Sequence, residues 1–394
     1  MLKIAVVTEL ITSMYLYGLA LAVSLLAAET FKRLGQSEVI GQVLVGILLG
    51  PYILGLIHPN EIFNFISEIG ALTLLLIAGL ETDIRVVLKS GLSVIVLALG
   101  GAFFTILLVF PIVYMLSNNL ILSLYVSVTL AATSISLTVR IFSEFGKLRS
   151  QEAQIIIMSA VFDDLIVIFL LIFVIDLAIT GLFTFYRILT VTVLVIAFFI
   201  ITVILGILFT IFVNPLLNKL ESKGALIIFV FSFGLLFGYF ASLMGFSPII
   251  GAYFAGLMLA EVDLKHEILE GISPIAFVTV PIFLVNIGLK VNVSIIQEAL
   301  FIGALLSVAA IMGKIFSGFP AGKIQKIERK SSMLLGAALV PRAEVVLVFA
   351  SIGLELGVLN DPWYSSLVVV VLLTTFLTPI ILKYLLVGGD KPDE

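Results

Sequence analysis

Apolar residues along the chain gather into runs of membrane-crossing length, and the polar residues between them fall in short clusters. Thirteen runs can be marked, at approximately 10–31, 39–57, 62–80, 91–116, 120–142, 153–175, 186–213, 225–244, 248–260, 272–289, 299–319, 331–354 and 363–386. A helix needs roughly 20 predominantly apolar residues to cross the hydrocarbon core of a bilayer. The ninth run falls short of that and fits a tilted or partly buried span. The pattern predicts an all-α membrane protein of thirteen transmembrane helices, a single integral unit over 1–394. The first run ends near Ala27-Ala28, which resembles a signal-cleavage region. Its length and the Lys32-Arg33 that follow favour a retained helix instead.

Composition excludes an ordinary soluble domain. Of the 394 residues 61% are hydrophobic and 12% charged, against about 25% charged in soluble chains. The placement of charge says more than its net value. Lys32, Arg33, Arg85, Lys89, Arg140, Lys147, Arg149, Lys219, Lys223, Lys265, Lys323, Lys326, Arg329 and Lys330 all fall in alternate loops, and Lys383 and Lys391 lie on that same side. The other side holds Lys3, Arg187 and Lys290. Basic loops stay in the cytoplasm, so the N-terminus is expected outside and the C-terminus in the cytoplasm, which requires an odd number of spans. With no cysteine, disulfides and thiolate metal sites are excluded. His58 and His266 are far apart and in predicted loops. No GxGxxG, GxxxxGK[ST] or HExxH motif occurs. Neither an enzyme nor a resident cofactor nor a nucleic-acid partner is expected.

Two stretches repeat. Val39-Ile-Gly-Gln-Val-Leu-Val-Gly-Ile-Leu-Leu-Gly50 echoes Ile249-Ile-Gly-Ala-Tyr-Phe-Ala-Gly-Leu-Met-Leu-Ala260 at an offset of 210, and Gly79-Leu-Glu-Thr-Asp-Ile84 echoes Gly288-Leu-Lys-Val-Asn-Val293 at 209. Segments 2–6 thus correspond to segments 9–13, and since segments 2 and 9 start on opposite sides the two five-helix units are inverted. Inverted repeats are a common plan of secondary transporters, with the site near the repeat interface. At matching positions two segments carry signs of interruption. Segment 5 holds Thr133-Ser-Ile-Ser-Leu-Thr138, whose hydroxyls compete for backbone hydrogen bonds. Segment 12 holds Pro341-Arg-Ala-Glu344, where proline removes a donor and clashes with the preceding turn. A paired break of this kind exposes carbonyls and amides that can line an ion cavity. Gly46 and Gly50, spaced as GxxxG, fit close helix packing better than ligand binding.

The chemistry points to segment 6, where Asp163 and Asp164 stand side by side in an apolar run. A single charge at the centre of a membrane helix costs about 2.5–3.5 kcal/mol on insertion scales, and adjacent acids oppose each other's ionisation. Such a pair calls for a proton, a metal cation or a basic side chain. The two point about 100° apart around a helix, with Ser159 on the Asp163 face. Lys314, deep in segment 11, is the candidate charge partner, yet one lysine cannot neutralise two aspartates. Arg342 and Glu344 are expected to stabilise the break in segment 12 as a compensating pair. Glu29, Glu68 and Glu152 lie nearer segment ends and are expected at the interfaces. The residues imply a site that exchanges protons for small cations through carboxylates, hydroxyls and carbonyls, the oxygen ligands that hard cations take. A proton-gated cation channel and a sodium-coupled symporter for an organic anion are the alternatives from other classes.

These features together resemble the monovalent cation:proton antiporters, in particular the branch that contains NapA and the membrane part of the Kef potassium efflux proteins. The likeness covers nearly the whole chain. It rests on Gly46-Ile-Leu-Leu-Gly-Pro-Tyr-Ile-Leu-Gly55, Gly79-Leu-Glu-Thr-Asp83, Thr133-Ser134, Phe162-Asp-Asp164, Pro281-Ile-Phe-Leu-Val-Asn-Ile-Gly-Leu289, Lys314 and Pro341-Arg-Ala-Glu-Val345. Asp-Asp rather than Gln-Asp, and a chain that stops after segment 13, look like the NapA type. Ala343 stands where the family often has glycine. The resemblance implies a NapA/NhaA-like antiporter fold and a homodimer in the cytoplasmic membrane. Helices 1–3 and 8–10 (about 10–80 and 225–289) would form a dimer domain. Helices 4–6 and 11–13 (about 91–175 and 299–386) would form a moving ion-translocating core, with helix 7 (about 186–213) as linker. It also implies that Asp164 is the principal carboxylate for Na+ or Li+, that Asp163 pairs with Lys314, and that Thr133 and Ser134 lie where the broken helices cross. Asp164, Asp163 and Thr133 would then be the sodium ligands. The activity it implies is exchange of Na+ or Li+ for H+, electrogenic because two acids take part, with a K+/H+ antiporter of the same fold as the nearest alternative.

Overall fold

The structure is a computed structural model that describes residues 2–58, 60–81, 91–147, 150–181, 222–243, 248–260 and 262–387, together with 186, 189 and 193. These residues are helical wherever they are regular, with no strand among them. In chain order the helices are α1 (Leu2–Arg33), α2 (Glu38–Leu49), α3 (Glu61–Glu81), α4 (Leu92–Ser117), α5 (Leu120–Thr129), α6 (Ser136–Glu144) and α7 (Gln151–Thr180). They continue with α8 (Lys223–Leu243), α9 (Pro248–Leu259), α10 (Lys265–Leu289), α11 (Ile296–Gln325), α12 (Arg329–Ala337), α13 (Glu344–Glu355) and α14 (Asp361–Val387). Eight helices among the described residues are long and apolar enough to cross a membrane. The difference from thirteen runs has a local cause in each case. Segments 5 and 12 are each split into two short helices, segments 2 and 9 form helices of 12 residues, and segment 7 lies almost wholly outside the described residues. Thr82 and Asp83, at the end of one echoed motif, also lie outside them.

Helix ends differ from the apolar runs for readable reasons. Segment 2 was expected to run to 57, but α2 stops at Leu49 and a turn follows. Pro51 disfavours the helical region at Gly50, and the chain closes there with Gly55 N–H donating to Gly50 O at 2.8 Å and Gly55 at φ +60°. At the other extreme α10 begins at Lys265, seven residues before the apolar run. Its first turns, Lys265-His-Glu-Ile-Leu-Glu-Gly271, are helical but polar, so hydropathy marks only the part that would contact lipid.

The chain divides into two compact units: residues 1–33, 41–84 and 192–293, and residues 34–40, 85–191 and 294–394. In the first, α3 packs on α9 and α10, α8 packs on α9, and α1 runs along α10. Its closest crossings are built on repeat-related glycines. A Cβ on Gly46 would collide with the carbonyl of Val285 and come within 2.8 Å of Gly288 Cα. One on Gly79 would collide with the carbonyl of Tyr253, and one on Gly256 would come within 3.0 Å of Gly79 Cα. Gly46 and Gly256 are mates at the 210 offset, and Gly79 and Gly288 at 209, so the same crossing is made twice. Asn286 Nδ2 donates to Asn64 Oδ1 at 3.1 Å and Ser67 Oγ at 3.0 Å, which adds a polar tie between α3 and α10.

In the second unit α4 lies along α11, which also packs on α12 and α14, while α7 packs on α4 and α5. Here too small residues bring backbones together: a Cβ on Gly313 of α11 would stand 2.7 Å from Thr105 Cα of α4. The α7 hydroxyl of Ser159 donates to Val94 O of α4 at 3.1 Å. At the start of α7, Ser150 Oγ accepts from the Ala153 N–H, and the helix ends on Gly181 at φ 63°. These contacts fix the height and rotation of α7, and with them the two acids it carries.

Candidate functional site

Two chain segments inside the second unit are not helical although apolar helices flank them. α5 ends at Thr129 and α6 begins at Ser136; α12 ends at Ala337 and α13 begins at Glu344. The second gap follows from Pro341. Its ring clashes with the carbonyl four residues back, which is that of Ala337, and it disfavours helix at Val340. The first gap has no proline, and its Ala131-Ala132 are good helix formers. Tertiary hydrogen bonds hold it open. The Ser134 N–H donates to Pro341 O at 2.9 Å, Thr138 Oγ1 donates to Ala338 O at 2.7 Å, and the Arg342 Nε–H donates to Leu130 O at 2.9 Å. The two interrupted stretches therefore cross and help satisfy each other's backbone groups, which must be paired away from water. Ala343 adopts φ −141°, outside the left-handed region, so alanine serves where the resemblance leads one to expect glycine.

Arg342 is fully buried at this crossing. Besides Leu130 O, its guanidinium donates to Leu339 O at 3.2 Å, to Val340 O and to Ala310 O at 3.3 Å. These carbonyls come from both interrupted stretches and from α11. The Thr375 hydroxyl of α14 in turn donates to Arg342 O. The partners of Arg342 are thus backbone carbonyls, a set that side-chain charge counting could not supply. Glu344 begins α13, and its Oε1 and Oε2 accept from the Ser134 hydroxyl at 3.4 and 3.5 Å.

Asp163 lies on α7 with no solvent exposure, and Lys314 on α11 is equally buried. The Lys314 ammonium donates to both carboxylate oxygens of Asp163 at 2.8 Å. Thr133, in the first gap, donates its hydroxyl to Asp163 Oδ2 at 2.6 Å and lies 3.3 Å from Leu339 O. Three donor contacts thus converge on one carboxylate, which a buried charge needs if it is to be tolerated. Asp164 is half-buried and turned to another side of α7; it lies within electrostatic range of the same ammonium, as does Arg342. Ser159, one turn before Asp163, is fully buried and engaged with α4.

The structure therefore brings Thr133, Asp163 and Lys314 into direct contact, places Asp164 beside them, and joins Ser134 to Glu344 across the crossing. Sequence reasoning missed Gly101. A Cβ there would lie 3.0 Å from Lys314 Nζ and 3.6 Å from Asp163 Oδ1, so glycine leaves room for the ammonium. The only sequence signal was a Gly100-Gly101 pair in an otherwise bulky apolar run. Chemically the arrangement joins one sealed ion pair, a second carboxylate with partial access, and carbonyls released from helical bonding.

The family model described as sodium/hydrogen exchanger, transmembrane, matches residues 19–388. The chain is 34% identical over 379 residues to a Na(+)/H(+)-K(+) antiporter, GerN, of Bacillus cereus, covering 93% of this chain and 94% of that one. It is 32% identical over 370 residues to a Na(+)/H(+) antiporter of Enterococcus hirae, covering 93% and 96%. Among solved structures it is similar to the sodium proton antiporter MjNhaP1 of Methanocaldococcus jannaschii at a TM-score of 0.77. That match has 19% sequence identity, spans 97% of this chain and 100% of that one, and speaks for the fold alone.

Proposed function

This chain belongs to the sodium/hydrogen exchanger family, and from that premise we infer that it exchanges Na+ or Li+ for H+ across the cytoplasmic membrane by alternating access. The observation that carries the reading is the Asp163–Lys314 pair, held by Thr133 where two interrupted helices cross. Protons and cation compete for one set of carboxylates. A loaded site, nearly neutral, can face either side in turn, whereas an empty anionic site is expensive to move through hydrocarbon. That difference couples the two fluxes.

In this reading Asp164 is the principal cation carboxylate, because three donor contacts already converge on Asp163. Asp163, Thr133 and Ser134 complete the cation and proton site, and Arg342 and Glu344 stabilise the helix break. Arriving cation draws Asp163 away from Lys314, and two participating acids make the cycle electrogenic. The second compact unit is the ion-translocating body, and the first is the body through which two copies pair. The basic loops put the N-terminus outside and the C-terminus in the cytoplasm. Potassium is the second cation to consider, because a relative of full-length overlap carries K(+) in its name beside Na(+) and H(+).

The test is proton flux in proteoliposomes driven by Na+, Li+ and K+ in turn. Asp164→Asn is expected to abolish exchange with every cation. Sodium-driven proton movement that survives in this variant overturns the assignment, and a response to K+ equal to that with Na+ favours the second cation.

A further inference from the structure

Thr105 on α4 is fully buried, and its Oγ1 has no hydrogen-bond partner. Thr129 Oγ1, at the end of α5, shares this lack, whereas other buried threonines in these helices find a partner: Thr73 donates to Ile69 O at 2.7 Å, Thr374 to Val370 O at 2.8 Å and Thr378 to Thr374 O at 2.7 Å. An orphaned buried hydroxyl is destabilising and calls for an explanation. Its position offers one. Thr105 is one helical turn beyond Gly101 on the same face of α4. Gly101 borders the ion pair, with its Cβ position 3.0 Å from Lys314 Nζ and 3.2 Å from Lys314 Cδ. The backbone of Thr105 itself packs on Gly313, the residue before Lys314. The lysine side chain therefore leaves α11 at the level of Thr105 and reaches along α4 to Gly101 and Asp163.

We propose that Thr105 is a positioning residue for transport: its hydroxyl receives the Lys314 amino group when a cation takes Asp163. This rests on the reading that cation arrival parts Lys314 from Asp163. A lysine released inside hydrocarbon has few places to go, and an unpaired ammonium there is strongly unfavourable. Four rotatable bonds let the side chain fold back by one turn of α4. A threonine hydroxyl suits both forms of the arriving group, since it accepts from an ammonium and donates to a neutral amine. In the ion-paired arrangement the hydroxyl is idle; in the parted one it has a partner.

This makes Thr105 unlike a merely structural threonine, and the full-length protein in detergent can tell the two apart by sodium-dependent thermal stabilisation. Thr105→Val keeps the shape and removes the hydroxyl. Without sodium its melting temperature is expected to equal or exceed that of the unaltered protein, because an idle buried polar group has gone. The sodium concentration for half-maximal stabilisation is expected to rise about fivefold, as for loss of one hydrogen bond, and Thr105→Ser is expected to restore it. An unchanged sodium response in Thr105→Val, or a lower melting temperature without sodium, overturns the proposal. A hydroxyl that only holds a water would give the first of these results. If Asp164→Asn loses the sodium response while Thr105→Val keeps it, the Thr105 assignment alone fails; if Asp164→Asn keeps it, the reading of the site fails with it.

Discussion

At the scale of single residues, what distinguishes Asp163 from Asp164 is the company each keeps. Asp163 is sealed, with a bidentate ammonium and a hydroxyl on its oxygens. Asp164, one residue on, retains partial exposure. Adjacency in an apolar run made both visible, and the roughly 100° step of a helix predicted that they would face different surroundings. Which of them meets Lys314 came from the family resemblance, because nothing in the residue pattern of segment 6 favours either. The pair has a consequence for stability. Removing one partner of a buried ion pair costs about 3–5 kcal/mol, since the other charge is left uncompensated. Lys314→Met is therefore expected to lower the melting temperature in detergent sharply. Adding Asp163→Asn should recover most of the loss, because a neutral amide and a thioether leave no orphan charge. Additive losses in this double-mutant cycle would mean that the two groups do not depend on each other.

At the scale of elements, the two breaks were unequally legible. Pro341 announced the one in segment 12, and the ring chemistry of proline places its edge at Ala337. The break in segment 5 was suggested by clustered hydroxyls and by its repeat position, while Leu130-Ala-Ala132 argue locally for helix. Leu130 and Ala131 follow that preference, donating back to Val126 O and Ser127 O; beyond them tertiary bonding takes over, and its agent is Arg342, which gathers carbonyls from Leu130, Leu339, Val340 and Ala310. A one-dimensional pattern shows an arginine near an acid, so the compensating pair with Glu344 was the natural expectation; it cannot show carbonyls converging from three elements. The fork geometry of the guanidinium is what the crossing uses, and lysine presents its donors from a single point. Arg342→Met is expected to cost at least about 3 kcal/mol of unfolding stability, as several buried carbonyls lose their donor at once. Arg342→Lys should recover only a minor part of it. Thermal unfolding of both variants checks this, and a lysine variant as stable as the parent would show that charge alone suffices.

At the scale of the whole molecule, repeat, composition and charge placement each constrain a different property. The echo at offsets 209 and 210 announced a duplicated architecture, and the glycines that carry it make the same backbone crossing twice, Gly46 with Gly288 and Gly79 with Gly256. Sequence showed that those glycines recur; it could not show that each meets the mate of the other. The direction in which the molecule is threaded through its bilayer is a separate matter, and only the basic loops bear on it. On the thirteen-span reading the imbalance between alternate loops is large: the set that includes Lys323, Lys326, Arg329 and Lys330 carries most of the basic residues, and the other set has Lys3, Arg187 and Lys290. Membrane insertion retains lysine and arginine on the cytoplasmic side, so Lys326 is expected inside and Lys290 outside. Lys326 follows the last turn of α11 and Lys290 follows α10, so the two sit at opposite ends of a single connecting span. The chain has no cysteine, which makes the measurement direct. In intact cells a membrane-impermeant maleimide should label Lys290→Cys and spare Lys326→Cys, and permeabilised cells should label both. Labelling of Lys326→Cys alone in intact cells would reverse the orientation, and with it the side from which each ion reaches Asp164.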